Sequence, residues 1–431
     1  MLATFRNMFR VRDLRNKILF TLLMIAIYQV GTNVPIPGVA FHKIAAITNQ
    51  DRSNGVIGYL SLFAGTGLSR AAVLGLGIMP YITASIIVQL LAGVIPKFAQ
   101  WRDQGAVGQR KLTQTTRYLT VGLALMQSSG IVFLYHSGRL FPTLPASEAD
   151  LIPDFTPGRV VFMILVLTAG TAFVMWLGEN ITQRGIGNGM SLLIFSNVIS
   201  AIPIYGEFIK NDRGWFGVAI VLVVCLGLLT AIVFMEQGQR RIPVTFAKRV
   251  QGRRMTGGSS TFIPLKVNSA GVIPIIFANS LLYIPVLLSN VVPSTAYRNW
   301  VQDNLLNPID GVYLILYGVL IVVFTFFYVH VQFDPYQQAD QIRKQGGYIP
   351  GFRPGQPTQR YFSFVLNRLT LPGSLFLAAV ALIPSVLLRS WHVNNIPFFG
   401  TTLLIAVGVA LETMKQIDSQ LMMRNYQGFL Q

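Results

Sequence analysis

Apolar runs long enough to cross a bilayer recur along the chain, divided by short polar or basic stretches. A span needs about 20 apolar residues. Ten runs qualify: 18–34, 71–95, 118–136, 159–178, 190–209, 215–235, 270–292, 311–332, 369–388 and 396–414. The pattern predicts an all-α, polytopic integral membrane protein with ten transmembrane helices. The fifth run is the most interrupted, by Ser196, Asn197, Ser200 and Pro203. One further apolar piece, Val56–Ala64, is too short to span and closes on Gly65-Thr66-Gly67. It reads either as an interfacial helix or as a re-entrant helix in a cavity, because irregular backbone at membrane depth needs protein or water around it.

Two of the runs are related. Gly77–Gln89 reads GIMPYITASIIVQ and Gly271–Asn279 reads GVIPIIFAN, so Gly77 aligns with Gly271, Pro80 with Pro274, Ile82 with Ile276 and Ala84 with Ala278. A proline without a backbone donor makes such a helix kink or start late. The stretch 206–214 divides the chain into five runs before and five after, and the aligned pair is the second run of each half. Halves of five spans face opposite ways, which implies an inverted repeat with residues 1–209 and 210–431 as its members. Gly/Pro-interrupted spans at matching places point to the functional centre. The two helices then either line a passage or are ordinary kinked spans, since Gly and Pro are common in membrane helices.

Composition agrees with the pattern. The chain is 52% hydrophobic and 12% charged, with a mean hydropathy of +0.53; soluble domains carry about a quarter charged residues. The net charge is +18, and its distribution matters more than its total. Segments on the N-terminal side of the membrane hold 25 of the 34 lysines and arginines, and the opposite loops hold 9. That alternation predicts both termini in the cytoplasm. The basic start leads into an apolar run without a small-residue cleavage site and reads as a retained first span. Two expected cytoplasmic loops, 237–269 and 333–368, are long, basic and rich in Gly and Pro. They suit docking of an acidic partner such as RNA or an acidic protein face; contact with anionic lipids is the other reading.

No chemistry is written into the spans. Arg159, Glu179, Glu236, Arg389, Glu412 and His330 sit at the ends of apolar runs, and the four histidines are far apart in sequence. An ion-coupled carrier needs a charge mid-span, and a metal site needs clustered ligands; neither pattern is present. The single cysteine, Cys225, excludes a disulfide framework. The run Arg184–Gly189, RGIGNG, lacks phosphate-loop spacing and suits a tight turn between packed spans. These features favour a passive conduit driven from outside the chain, with no catalytic residues, cofactor or metal, over a small-solute transporter or an anchored scaffold.

Six stretches match one family in order: GLGIMPYITASIIVQLL (75–91), TRYL (116–119), MWLGENITQRGIGNG (175–189), EQGQRRIPV with AKR and QGRR (236–254), PLKVNSAGVIP (264–274) and GYIPGFRPG (347–355). The chain resembles the SecY family of channel-forming protein translocase subunits over nearly its whole length. The resemblance implies two inverted five-helix halves around a central pore narrowed by Ile78, Ile82, Ile194, Ile276 and Ile405. It implies a lateral gate carrying Pro80, Thr83, Ser85, Gln89, Gln127, Pro274 and Asn279. A plug would cover about 56–69, including Val56, Ile57, Leu60, Leu62, Phe63 and Gly65; Ala64-Gly65-Thr66 replaces the commoner Ser-Gly-Gly there. Arg240, Arg241, Lys248, Arg249, Arg253, Arg254 and Arg353 would meet the SecA motor ATPase and the ribosome, through its RNA. Further implied partners are SecE-like and SecG-like membrane subunits, signal sequences, nascent chains and anionic lipids, in a bacterial plasma (inner) membrane. The tail after Lys415 is short for contacts that need a longer basic extension. An apolar ring has a physical logic of its own: it can exclude ions by dewetting while flexible side chains close around a moving chain. Plain helix packing is the alternative for any one isoleucine.

Overall fold

The computed structural model describes residues 11–40, 67–68, 70–137, 152, 155–246, 249–251, 254–256, 260–291, 294–305, 310–390 and 399–428. Within them, every run expected to span falls on a helix. The helices are α1 (Arg12–Gly31), α2 (Met79–Val94), α3 (Pro96–Asp103), α4 (Ala106–Ser137), α5 (Pro157–Arg184), α6 (Gly189–Gln237), α7 (Ile273–Val291), α8 (Thr295–Asn304), α9 (Gly311–Gln332), α10 (Pro335–Lys344), α11 (Gln356–Ser390) and α12 (Phe399–Gly428). Helix α6 covers two expected spans and breaks at Gly214, whose φ of 66° is left-handed. The weakest run, 190–209, is therefore helical despite Pro203.

The expected span 71–95 needs correction. Residues 71–78 form turns, and the helix begins only at Met79. Pro80 explains the late start: it is the second helical residue, where a missing N–H costs nothing. The helix stops at Val94 because Pro96 follows, and the chain bends by 99° into the short α3.

The chain divides into two compact units. The first is Met1–Leu222 with Leu388–Phe398 and Ile405–Gln431; the second is Val223–Leu387 with Phe399–Leu404. In the first, α2 packs on α4, α4 on α5, and α1 on α5. The Tyr28 hydroxyl, fully buried on α1, accepts a 2.7 Å hydrogen bond from the Asn197 amide of α6. RGIGNG is a close turn: Thr21 Oγ1 of α1 accepts from the Ile186 amide at 3.1 Å, and a Cβ on Gly189 would strike the Gly178 carbonyl.

In the second unit, α7 packs on α9. The basic loop expected at 237–269 contains a sheet. Strands β1 (Gln239–Phe246), β4 (Ser260–Lys266) and β5 (Gly347–Tyr348) pair antiparallel in the order β4-β1-β5, with Ile242 opposite Ile263. Strands β2 (Arg249–Gln251) and β3 (Arg254–Thr256) form a small ribbon. Ile242 and Val244 alternate with exposed Arg241 and Pro243, as a half-buried strand requires. Their buried face packs with Leu265, Ala339, Ile342, Ile349, Phe362 and Val365, so the sheet, α10 and the start of α11 share one apolar core.

Candidate pore and gate residues

The aligned helices α2 and α7 start in the same way. Gly77 and Gly271 both adopt left-handed backbone, at φ 57° and 61°, and a proline occupies the second helical position three residues later. The shared G-x-x-P sequence therefore encodes a local structure. Glycine takes the turn that other residues resist, and proline fits the open first turn. Each start carries an aliphatic side chain at matching positions on its helix.

Of the proposed ring residues, Ile78, Ile194 and Ile405 are buried within the first unit, and Ile82 is half-buried there. Ile78 is the cap residue of α2, and its carbonyl accepts from the Ile82 amide at 3.1 Å. Ile276 is buried within the second unit.

The gate residues divide between the same two units. On α2, Pro80 is buried, and Thr83 donates its hydroxyl to the Met79 carbonyl at 3.0 Å. Ser85 accepts from the amide of exposed Gln89 at 3.3 Å. Gln127 is half-buried on α4. On α7, Pro274 and Asn279 are buried. Tyr317 of α9 faces the buried Asn279 side chain. Phe277 and Phe324 stack nearby along the same helix pair, with ring centroids 5.2 Å apart.

Val56, Ile57, Leu60, Leu62, Phe63 and Gly65 lie outside the described residues, as do Lys248 and Arg253. Arg249 and Arg254 fall on β2 and β3. Arg240 and Arg241 are exposed on β1, where the Arg241 guanidinium lies 4.9 Å from the Phe262 ring centroid. Arg353 is exposed on a turn between Gly351 and Gly355, both left-handed at φ 87° and 109°. The turn is braced: Thr358 donates to the Arg353 carbonyl at 2.9 Å, and Phe352 packs on Tyr361 with centroids 4.3 Å apart.

Sequence reasoning missed three long-range contacts within the first unit. Arg117 and Glu179 pair between α4 and α5. The Tyr28–Asn197 bond joins α1 to α6. Tyr135 of α4 donates to the Leu68 carbonyl at 2.7 Å. A lone tyrosine or a polar residue in an apolar run gives no hint of its partner, which tertiary structure brings from 62 or more positions away.

Among the described residues no group of three or more His, Cys, Asp or Glu side chains could hold a metal ion. The SecY family model matches residues 72–414. A protein translocase subunit SecY of Streptomyces scabiei is 49% identical over all of both chains. A solved protein-conducting channel superposes with a TM-score of 0.58 at 17% identity, covering 93% of this chain and 91% of that one. The idle yeast Ssh1 complex bound to the yeast 80S ribosome gives 0.62 at 13% identity, covering 93% and 89%. This chain belongs to the SecY family: it is a multi-pass membrane subunit of a protein-conducting channel, and not an enzyme.

Proposed function

We propose that Ile78, Ile82, Ile194, Ile276 and Ile405 form the narrow point through which an unfolded polypeptide passes. We assign a sideways exit for apolar segments to α2 and α7, with Pro80, Thr83, Ser85, Gln89, Gln127, Pro274 and Asn279 along it. The observation that carries this reading is the duplicated helix start, with a left-handed glycine and a proline at corresponding places. Duplicated Gly/Pro starts mark the site in two-fold membrane proteins. The halves 1–209 and 210–431 are the two members of the repeat. Residues 56–69 plug the outer side at rest.

The basic tips receive the source of energy. Arg240, Arg241, Lys248, Arg249, Arg253, Arg254 and Arg353 meet a SecA-type motor ATPase or ribosomal RNA, consistent with the ribosome-bound state of the Ssh1 relative. SecE-like and SecG-like subunits accompany the chain, and anionic lipids surround its basic side. The protein lies in a bacterial plasma membrane with both termini in the cytoplasm, as the charge alternation supports. The test is reconstitution in vesicles with these subunits, motor and ATP. Protease-protected, unfolded substrate inside the vesicles is the expected result; substrate left wholly outside overturns the reading.

A further inference from the structure

The described part of the segment between Gly67 and α2 forms turns and one isolated bridge, from Ala72 to Pro35, yet it is among the most enclosed parts of the first unit. Leu68, Ala71, Ala72, Leu74, Leu76 and Ile78 are all buried. Its backbone groups are satisfied locally and by the chain after α1. The Ala72 amide donates to the Gly67 carbonyl at 2.8 Å, the Gly77 amide to Leu74 at 2.9 Å, the Ile36 amide to Ala71 at 2.8 Å, and the Val73 amide to Val34 at 2.8 Å. Helices close on it without clearance: a Cβ on Gly170 of α5 would strike the Val73 carbonyl, and one on Gly31 would strike the Leu74 side chain. Ala71 holds a left-handed φ of 45°, a conformation an alanine keeps only when its surroundings impose it.

One side chain grips this segment from α4. Tyr135 is 1% exposed, and its hydroxyl donates to the Leu68 carbonyl at 2.7 Å. We propose that Tyr135 is a positioning residue for the pore seal: by holding the start of segment 67–78, it fixes where Ile78, at the other end, stands. This rests on the reading of Ile78 as part of the narrow point. The mechanical link is short and stiff. Leu68 also accepts from the Ala71 amide at 3.0 Å, Ala72 bridges to Pro35, turns follow from Val73 to Gly77, and Ile78 caps α2. Removing the hydroxyl takes one of two donors from the buried Leu68 carbonyl and leaves only the Ala71 amide.

The experiment compares resting ion conductance in planar bilayers for wild type, Tyr135→Phe, Gly170→Ala and Ile78→Gly, with Tyr118→Phe as control on an exposed face of the same helix. Tyr135→Phe is expected to raise resting conductance about tenfold, the population shift matching about 1.4 kcal/mol for one buried hydrogen bond. Gly170→Ala, which crowds the same segment from another helix, is expected to raise it as well. Amide exchange should speed up in 67–77 in both variants. Faster exchange with unchanged conductance makes Tyr135 a packing residue and overturns the inference. Unchanged conductance in Gly170→Ala overturns it even if Tyr135→Phe fails to insert. A leak in Ile78→Gly with a silent Tyr135→Phe removes only the positioning role; a silent Ile78→Gly removes the seal and the inference together.

Discussion

Arg117 and Glu179 form a two-pronged ion pair, with Arg117 Nε donating to Oε1 at 2.8 Å and Nη2 to Oε2 at 2.6 Å. The pair joins the first half of α4 to the end of α5, and Tyr81 of α2 lies within electrostatic reach of both charges. Two helices of the first unit thus meet at one charged contact, with α2 in its field. Glu179 is 16% exposed and Arg117 44%, so the pair is screened but not fully solvated. Glu179→Gln or Arg117→Ala is expected to cost about 1–2 kcal/mol in thermal unfolding of the detergent-purified protein. The two losses should not add in the double variant, and the effect should shrink as salt rises. Additive losses would show that the groups are not coupled.

The helix starts at Gly77 and Gly271 allow a test of backbone cost alone. A Cβ at Gly271 would meet nothing within 4 Å, so Gly271→Ala adds no clash and only forces alanine to a φ of 61°. The expected loss is about 1–2 kcal/mol. Gly271→Asn should recover part of it, because asparagine tolerates left-handed backbone. Equal unfolding midpoints for the glycine and alanine forms would mean that the turn relaxes without cost.

The seal is tested at the aligned pair. Replacing Ile82 and Ile276 together with glycine removes two side chains that an apolar constriction needs. The expected result is a higher resting ion conductance than either single variant gives, measured in planar bilayers without motor or ribosome. A double variant as tight as wild type removes these residues from the narrow point.

The elements of this fold were readable where one physical rule acted alone. Runs of about 20 apolar residues marked where helices lie, because lipid permits little besides helices. The G-x-x-P pair showed where two of those helices are special. Hydropathy misled at Ala71–Ile78, which is as apolar as a helix but contains Gly75 and Gly77 before Pro80. There the enclosing glycines Gly31 and Gly170 allow turns at a depth where lipid would forbid them. The sheet in 239–266 was hidden for the opposite reason: its period-two pattern is short, and arginines dominate the composition. Partners such as Leu68 for Tyr135 were not legible at all, since nothing in a local window encodes a contact 67 residues away.

Arg353 should be the most sensitive of the basic tips. Its turn is fixed by Gly351 and Gly355 and by the Thr358 bond, so the guanidinium stands out on a rigid base. Arg353→Glu reverses the charge offered to an acidic partner without disturbing packing, because the side chain is exposed. Motor-driven transport into vesicles is expected to fall by more than about tenfold while membrane insertion and unfolding midpoint stay at wild-type values. Arg360→Glu, on the second turn of α11, should have a smaller effect. Undiminished transport in Arg353→Glu would remove this turn from the docking surface.

Acid should loosen the end of α10 through Asp340. Its carboxylate accepts from Lys344 at 2.7 Å and from Arg343 at 2.6 Å. The Lys344 hydrogen bond foremost, then the positive charges of both residues, holds its pKa below the ordinary value of 3.8. A carboxylate shifted down in the folded state stabilises it fully above the ordinary value, and that contribution fades as pH falls through the lowered one. Protection of the Gln345 amide, which donates to the Gln341 carbonyl at 3.0 Å, should therefore be constant from pH 7 to about 5 and drop in stronger acid. Asp340→Asn should show the reduced protection at every pH. Asp334, which caps the same helix by accepting from the Tyr336 amide, provides the internal comparison. Asp334→Asn keeps a capping oxygen, so an acid response that survives this change and vanishes in Asp340→Asn assigns it to Asp340. An acid response that persists in Asp340→Asn would remove Asp340 from this role.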